Sequence, residues 1–398
     1  MKLIHTADWH IGHQLFNYDR TDEFVFFFDQ LTSAISDEQP DVLIVAGDVF
    51  DRSIPSLNAQ QLFTQQIMRL HSACPTMTIV VISGNHDSRQ RLELTHELWQ
   101  LVNVHVVGTY HKLDNDTLDC NHHIIPVYRD NARIGSVIAL PYCFPTNIPG
   151  EEPDNEERLR RLISHLTDMA TAQQGNADNI VCTAHLTVDG RMSEIGGEER
   201  FDSSVFDERL TYTALGHIHN YDFLGKERIR YAGTPIAMAF DEVFKHRIVV
   251  VECINGGEEI SSRDIEIKQL RPLVTVNNRP MSYEEIMTTA TAMDKSVPSY
   301  IKFIIANDGL YHADMINELS HMFEDTETRF CNVERERVKH TAAEEGISEI
   351  DYTSFREETP IETAKRYYRD TFSNEEMSDE LTNRLKAVIT EIEEEDRQ

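Results

Sequence analysis

Two histidines one residue apart in LGHIHN, His217 and His219, are spaced to hold a metal ion, and four other short patches carry donors of the same kind. ADWHIG supplies Asp8 and His10, AGDVFD supplies Asp48, GNHD supplies Asn85, His86 and Asp87, and TAHLTVDG supplies His185. Carboxylate, carboxamide and imidazole donors without a thiolate suit hard-to-intermediate divalent cations such as Mn²⁺ better than a closed thiolate zinc site. Two adjacent cations need about seven or eight donors with one carboxylate shared, and Asp48 is the natural bridge because a carboxylate offers two oxygens. Two such ions roughly 3.5–4 Å apart clamp the attacking and departing oxygens of an in-line phosphoryl displacement. They also lower the pKa of bound water, so no serine or cysteine nucleophile is required. His86, within the GNHD patch, could donate to a phosphate oxygen or protonate the leaving group, with Asp87 available to orient its ring. A lone D-x-H or H-x-H is commonly a surface or core feature. All five patches in one chain, each after a strand-like run, make coincidence a poor explanation.

Strands must place these patches. KLIHTAD (2–8), DVLIVAGD (41–48) and MTIVVISGN (77–85) are short, apolar and β-branched, each ending in a small polar cluster, as strands buried on both faces do. Between them, 22–37 and 57–71 carry apolar residues at helical spacing. Further strands are expected at 136–140, 180–184, 211–215, 230–232 and 248–254. The alternation predicts an α/β unit, parallel in its first half, with active groups at the carboxyl ends of strands. Glycines at 47, 84 and 216 suit tight turns that bring backbone close to the site.

Around 269–278 the pattern resets into a smaller unit: helix-like 282–293, strand-like 300–306, helix-like 312–323 and strand-like 329–338. A polar stretch (341–350) then leads to helical segments. In the last of these, Leu381, Leu385, Val388, Ile389 and Ile392 form one apolar stripe, readable as core or as a docking helix. The expected organisation is 1–272, 273–340 and 341–398.

The chain has 398 residues, too many for one core, with 40% hydrophobic and 26% charged residues, ordinary for a globular protein. No run approaches the roughly 18 apolar residues of a membrane helix, and MKLIHTAD does not read as a signal peptide. The expectation is a protein without a membrane segment. The six cysteines form no C-x-x-C pair and no disulfide framework, which suggests a reducing cytoplasm. The net charge of −31, from 37 basic and 68 acidic residues, opposes nucleic acid, whose binding is driven by Lys and Arg on phosphates. If DNA is the substrate, something else must help hold it. No G-x-x-x-x-G-K-[ST] is present, so ATP hydrolysis by a P-loop is not expected from this chain.

The patches resemble the calcineurin-like metallophosphoesterase superfamily, whose pattern is D-x-H, GD, GNH[DE], H and GH-x-H. IHTADWHIGH, VAGDVFD, SGNHDS, IALPY, LGHIHN and YAGTPIAMAFDE narrow the resemblance to the SbcD family, nuclease subunits of double-strand-break repair complexes. The resemblance spans essentially the whole chain and is most specific over 1–245. It implies a four-layer α/β/β/α sandwich with a small α+β cap and a helical C-terminal tail. It also implies one ion on Asp8, His10, Asp48 and His219, a second on Asp48, Asn85, His185 and His217, and a catalytic, non-ligand role for His86. The two ions would be Mn²⁺, with Mg²⁺ as the alternative. Archaeal relatives often carry a histidine where this chain has Asp51, so no role is carried onto that position.

The implied activity is hydrolysis of DNA phosphodiester bonds, as ATP-dependent 3′–5′ double-strand exonuclease and single-strand or hairpin endonuclease, in repair, recombination and replication. The implied partner is an SbcC-like ABC-type coiled-coil ATPase, docked at the tail, with this chain as a homodimer inside a heterotetramer acting on DNA ends and hairpins. The rivals are a small-molecule phosphoesterase, such as a cyclic-nucleotide phosphodiesterase, and a scaffold that lost chemistry. The additional domain argues against the first, and the intact donor set against the second. His5, His105, His122 and His123 are read as parts of strand-like runs, and His13 has no motif match. Arg89 and Arg91 are read as salt-bridged residues at a helix start rather than phosphate contacts.

Overall fold

Two six-stranded sheets pack face to face, and each turns its other face to helices. A computed structural model describes residues 1–113, 118–144, 147–174, 179–188, 200–224, 228–254, 259–306, 314–336, 381–382 and 384. In the first sheet, β1 (Lys2–Thr6), β2 (Val42–Ala46), β3 (Thr78–Ile82) and β4 (Val104–Val107) run parallel. Antiparallel β11 (Arg247–Ile254) and β12 (Glu259–Glu266) extend it beyond β1. In the second, β6 (Ala132–Leu140), β7 (Asn179–His185), β8 (Tyr212–Gly216) and β10 (Ile229–Tyr231) are parallel, flanked by antiparallel β5 (Ile124–Arg129) and β9 (Asp222–Leu224).

Three apolar clusters define the layers. Trp9, Phe24, Phe27, Phe28 and Leu31 join Leu43, Val45, Ile79 and Val81 under α1 (Thr21–Glu38) and α2 (Leu57–Ala73). Trp9 stands edge-on to Phe28, with ring centres 5.0 Å apart. The alternate residues Val42, Ile44, Val80 and Ile82 face Val137, Ala139, Val181 and Ala214 between the sheets. On the far side, Leu159, Leu162, Ile163 and Leu166 of α6 (Asn155–Gln174) cover the second sheet. The architecture is the expected four-layer sandwich. The wholly buried strand VLIVA shows why such strands read as continuous apolar runs rather than as alternation.

The expected strands and helices of the first unit fall where the structure has them, within a few residues. Helix α6 lies outside those expectations, although its leucines recur at helical spacing, and so do the strands β9 and β12. The small unit is a parallel sheet of β13 (Leu273–Thr275), β14 (Ser299–Ile305) and β15 (Thr328–Arg335), covered by α7 (Tyr283–Ala292) and α8 (Met315–Met322). It is fastened to the segment that follows the first donor patch. Tyr300 Oη donates to Glu23 Oε1 at 2.6 Å, Arg329 donates to the Asp19 carbonyl at 2.9 Å, and Tyr18 Oη to the Phe330 carbonyl at 3.0 Å. Buried Arg20 binds Glu23 Oε2 at 2.7 Å and the Ala237 carbonyl at 2.8 Å. Met1–Glu336 forms one compact unit and Arg337–Gln398 a second. The polar stretch and the apolar tail stripe lie outside the described residues, apart from Leu381.

His5 is wholly buried between the sheets. Its Nε2 donates to the Leu215 carbonyl at 3.2 Å, so Nδ1 accepts from Tyr212 Oη at 3.0 Å. Burial, then Arg230, depresses its pKa from 6.5 to about 3. Between those values the unfolded chain holds the extra proton, so stability is lost as pH falls below 6.5. His5→Gln should flatten the stability–pH slope in that window by up to about 1.4 kcal/mol per pH unit in urea unfolding. An unchanged slope would show that His5 is not a source of the acid sensitivity.

Candidate metal centre

The donor patches converge because each follows a parallel strand at its carboxyl end. Asp8 and His10 follow β1, Asp48 follows β2, Asn85 and His86 follow β3, His185 closes β7, and His217 and His219 follow β8. The first two loops are joined by backbone bonds, Asp8 N–H to the Gly47 carbonyl at 3.0 Å and His10 N–H to the Asp48 carbonyl at 2.9 Å. Asp8, His10, Asp48 and His217 hold φ of +52°, +47°, +48° and +94°. Left-handed backbone is unfavourable for these residue types and persists only where surroundings over-determine it, which is common at functional sites. Gly47 (φ +89°) and Gly84 lie so close beneath the donors that a Cβ would collide with His185 Nδ1 or with Asp48 Oδ1.

One subset gathers Asp8, His10 and His219, another Asp8, Asp48 and His185, and a third His10, Asp48 and His86, each with donor atoms within 4.8 Å of one another. Asp48 Oδ2 lies between two of the rings, 3.8 Å from His10 Nε2 and 3.4 Å from His185 Nε2. Asn85 Oδ1 sits 2.9 Å from His185 Nε2 and 3.1 Å from His217 Nδ1. The backbone holds the carboxylates in place: His217 N–H donates to Asp8 Oδ1 and His86 N–H to Asp48 Oδ1, both at 2.9 Å.

Several contacts bring potential ligand atoms face to face. His10 Nε2 faces His219 Nε2 at 3.1 Å. His219 Nδ1 donates to Glu242 Oε1 at 3.1 Å, which leaves Nε2 as the nitrogen that faces His10. Likewise His185 Nδ1 donates to the Ala46 carbonyl at 2.8 Å, directing its second nitrogen at Asn85 Oδ1 and Asp48 Oδ2. Asp8 Oδ2 and His10 Nδ1 are buried with no hydrogen-bond partner. Carboxylate, carboxamide and imidazole groups gathered on shared points, two of their atoms buried without a partner, fit divalent cations.

Burial alone would lower His185, but the Asp48 and Asp8 carboxylates more than offset it and hold the ring at about 9. His219 is likewise raised against its burial by Glu242 and Asp8. Burial lowers His10 to about 3, against the pull of Asp48, and raises Asp8 to about 6. Burial would also raise Asp48, but His185 and His10 hold it well below the usual carboxylate range. Asp48 is therefore an anion with imidazoles gathered around it.

His86 is exposed, and its ring stands edge-on to His10 with centres 4.8 Å apart. Asp87 does not orient it. That carboxylate accepts from the backbone N–H groups of Gly84, Val49 and Phe50 at 2.9–3.0 Å, binding its own turn to the Asp48 loop. The orienting group is the Asp51 carbonyl, which takes His86 Nδ1–H at 2.8 Å. Residue type and spacing also give no reason to single out Glu242. Its Oε2 accepts from Met238 N–H at 2.7 Å while Oε1 holds His219, and the one hint in the chain is its place in YAGTPIAMAFDE. Outer-sphere partners of a metal-binding histidine are commonly worth 10–100-fold in affinity. Glu242→Gln is expected to weaken metal binding by about that factor in a chelator competition. Unchanged affinity would remove Glu242 from the centre.

The remaining sequence expectations divide. His13 is held by Arg20 Nη1 at 3.2 Å, and His123 is buried on the Ala139 carbonyl at 2.8 Å, both as structural residues. Arg89 and Arg91 do open a helix, α3 (Arg89–Glu93), but neither has an ion-pair partner among the described residues. Among the described residues no helix is long and apolar enough to cross a membrane, and all six cysteines are unpaired.

The family model for calcineurin-like phosphoesterases matches residues 1–221. The chain is 34% identical over 275 residues to the SbcD component of the SbcCD nuclease from Rhodobacter capsulatus, covering 65% of this chain and 67% of that protein. The protein of the same name from Escherichia coli K12 is 26% identical over 377 residues, covering 88% and 90%. That from Bacillus subtilis 168 is 29% identical over 290 residues, covering 69% and 71%.

Proposed function

Because the chain belongs to the calcineurin-like phosphoesterase family, as a relative of the SbcD component of SbcCD nucleases, we propose that it is the nuclease subunit of an SbcCD-like complex, hydrolysing DNA phosphodiester bonds. It is a metal-dependent hydrolase of the nuclease type. The observation that carries the reading is the convergence of donors from five strand ends on shared points, with His10 and His219 nitrogens facing one another and Asp48 Oδ2 between two rings.

In this reading Asp8, His10, Asp48 and His219 hold one ion, and Asp48, Asn85, His185 and His217 the other. The mixed oxygen and nitrogen set suits Mn²⁺, with Mg²⁺ as the alternative. When bound, the pair supplies Lewis acidity, lowering the pKa of water and neutralising charge on the phosphate. The protein's own residues do the rest. Glu242, Ala46 and Asp51 fix which nitrogen of His219, His185 and His86 faces the centre. His86 Nδ1–H stays on the Asp51 carbonyl, so it is the imidazolium form of the ring that would give its Nε2 proton to the departing oxygen, leaving the neutral Nδ1–H ring. Arg89 and Arg91, which follow His86 closely in the chain, are available for DNA phosphates.

The acidic charge of −31 favours a partner that grips DNA, which an SbcC-like ABC-type coiled-coil ATPase would supply. In the same reading 273–340 cap the centre, 341–398 dock the ATPase, and two copies sit in a heterotetramer in the cytoplasm. DNA ends and hairpins are the substrates, cut by 3′–5′ exonuclease and endonuclease action. Purified chain with Mn²⁺ should cleave a labelled DNA hairpin. Hydrolysis of a small phosphodiester such as a cyclic nucleotide, with none of DNA, would overturn the nuclease reading.

A further inference from the structure

Outside this centre, among the described residues, one other cluster of imidazoles and carboxylate stands beside the helix that follows the GNHD turn. Glu93, the last residue of α3, is buried, with 7% of its side chain exposed. Its Oε1 lies 2.7 Å from His122 Nε2 and its Oε2 3.0 Å from His111 Nε2. The three donor atoms all lie within 4.8 Å of one another, and the two rings stand 4.0 Å apart, centre to centre. Thr109 Oγ1 donates to Glu93 Oε2 at 2.7 Å and lies 3.1 Å from His111 Nε2, orienting both groups. The ring of His96, which opens α4 (His96–Gln100), stands 5.9 Å from that of His122, held by Nδ1 on the Glu93 carbonyl at 3.3 Å. Burial would raise Glu93, but the hydrogen bonds from His122, Thr109 and His111 outweigh it and keep the group at about 2, a permanent carboxylate.

We propose that Glu93, His111 and His122 form a second metal site, separate from the catalytic centre, that holds one zinc ion with water in the fourth position. Two imidazole nitrogens and one carboxylate oxygen are a zinc donor set, and this set has neither the extra oxygens that calcium needs nor the near-octahedral shell of magnesium. His122 is only 13% exposed and His111 41%, so the cluster is closed on one side and open to water on the other. Thr109 provides the outer-sphere hydrogen bond that such sites use to fix a ligand.

The site would bridge three separate segments of the chain. Glu93 lies seven residues after His86 on the helix that leaves the GNHD turn, while His111 lies beyond β4 and His122 in α5 (Cys120–His123). These segments already approach closely, since a Cβ on Gly108 would collide with the Arg89 carbonyl. One ion would staple the helix behind His86 to the connection between the two sheets. The proposal does not depend on the substrate of the catalytic centre.

The test is zinc stoichiometry of the full chain after chelation, refilling with Zn²⁺ and gel filtration. His111→Gln, at the most exposed ligand, should bind one equivalent fewer than the parent chain, or bind that equivalent at least about 100-fold more weakly, since even an outer-sphere loss costs 10–100-fold. X-ray absorption should lose a zinc environment of imidazole and carboxylate donors at about 2.0–2.2 Å. Glu93→Gln, which keeps the shape of the side chain, should lose the same equivalent, so misfolding of one variant cannot account for the result. Equal zinc content and affinity in all three chains would overturn the proposal and leave the cluster a hydrogen-bonded ion pair.

Discussion

Asp48→Asn should fold and yet lose both metal binding and catalysis. The asparagine oxygen can still accept from His86 N–H, so the turn survives. What disappears is the charge on the oxygen that lies 3.8 Å from His10 and 3.4 Å from His185. A neutral amide also cannot offer two anionic oxygens to two ions. Metal-ion stabilisation of a phosphoryl transition state is worth several kcal/mol, so cleavage should drop by at least about 10³-fold. His185, held at about 9 chiefly by Asp48 against its own burial, should titrate at lower pH, which NMR of the metal-free chain would report. Retention of both metal equivalents with near-normal cleavage would exclude Asp48 as the bridge.

His86→Ala should do the opposite: full metal content with little cleavage. The ring is exposed and bonded through Nδ1 to a backbone carbonyl, whereas the residue's tie to Asp48 is through its backbone N–H, which alanine keeps. Loss of a positioned general acid commonly costs 10²–10⁴-fold, expressed in kcat. Metal analysis beside single-turnover cleavage distinguishes the outcomes. A variant that loses metal would make His86 a ligand, consistent with its lying near His10 and Asp48 donors. A variant that cleaves normally would have no need of a proton from this ring.

Much of the centre is legible in the chain because each donor follows a strand whose apolar run ends in a turn, so position along the sequence stands for position at the sheet edge. Orientation is not. Asp87 follows His86 directly and invites the role of its partner, yet its carboxylate turns back to three backbone N–H groups, and the true partner is the Asp51 carbonyl. Glu242 is 23 residues from His219, and its role depends on how the turn after Tyr231 folds back. His122 beside His123 reads as part of a strand-like run; the structure puts it on α5 against Glu93, 29 residues away, a pairing no local pattern carries.

The order of residues alone dictates which donor types exist, that each sits just beyond a buried strand, and that the fold is α/β with a smaller unit after about residue 270. Those properties are local, set by side-chain chemistry, by apolar periodicity and by turns. It takes the packed molecule to establish that β1–β3 and β7–β8 belong to two facing sheets, that His10 and His219, 209 residues apart, point at one another, and that Asp8, His10, Asp48 and His217 are held with positive φ. Such a conformation is unfavourable for an isolated residue. It exists here because packed sheets and cross-strand hydrogen bonds impose it from outside the local sequence.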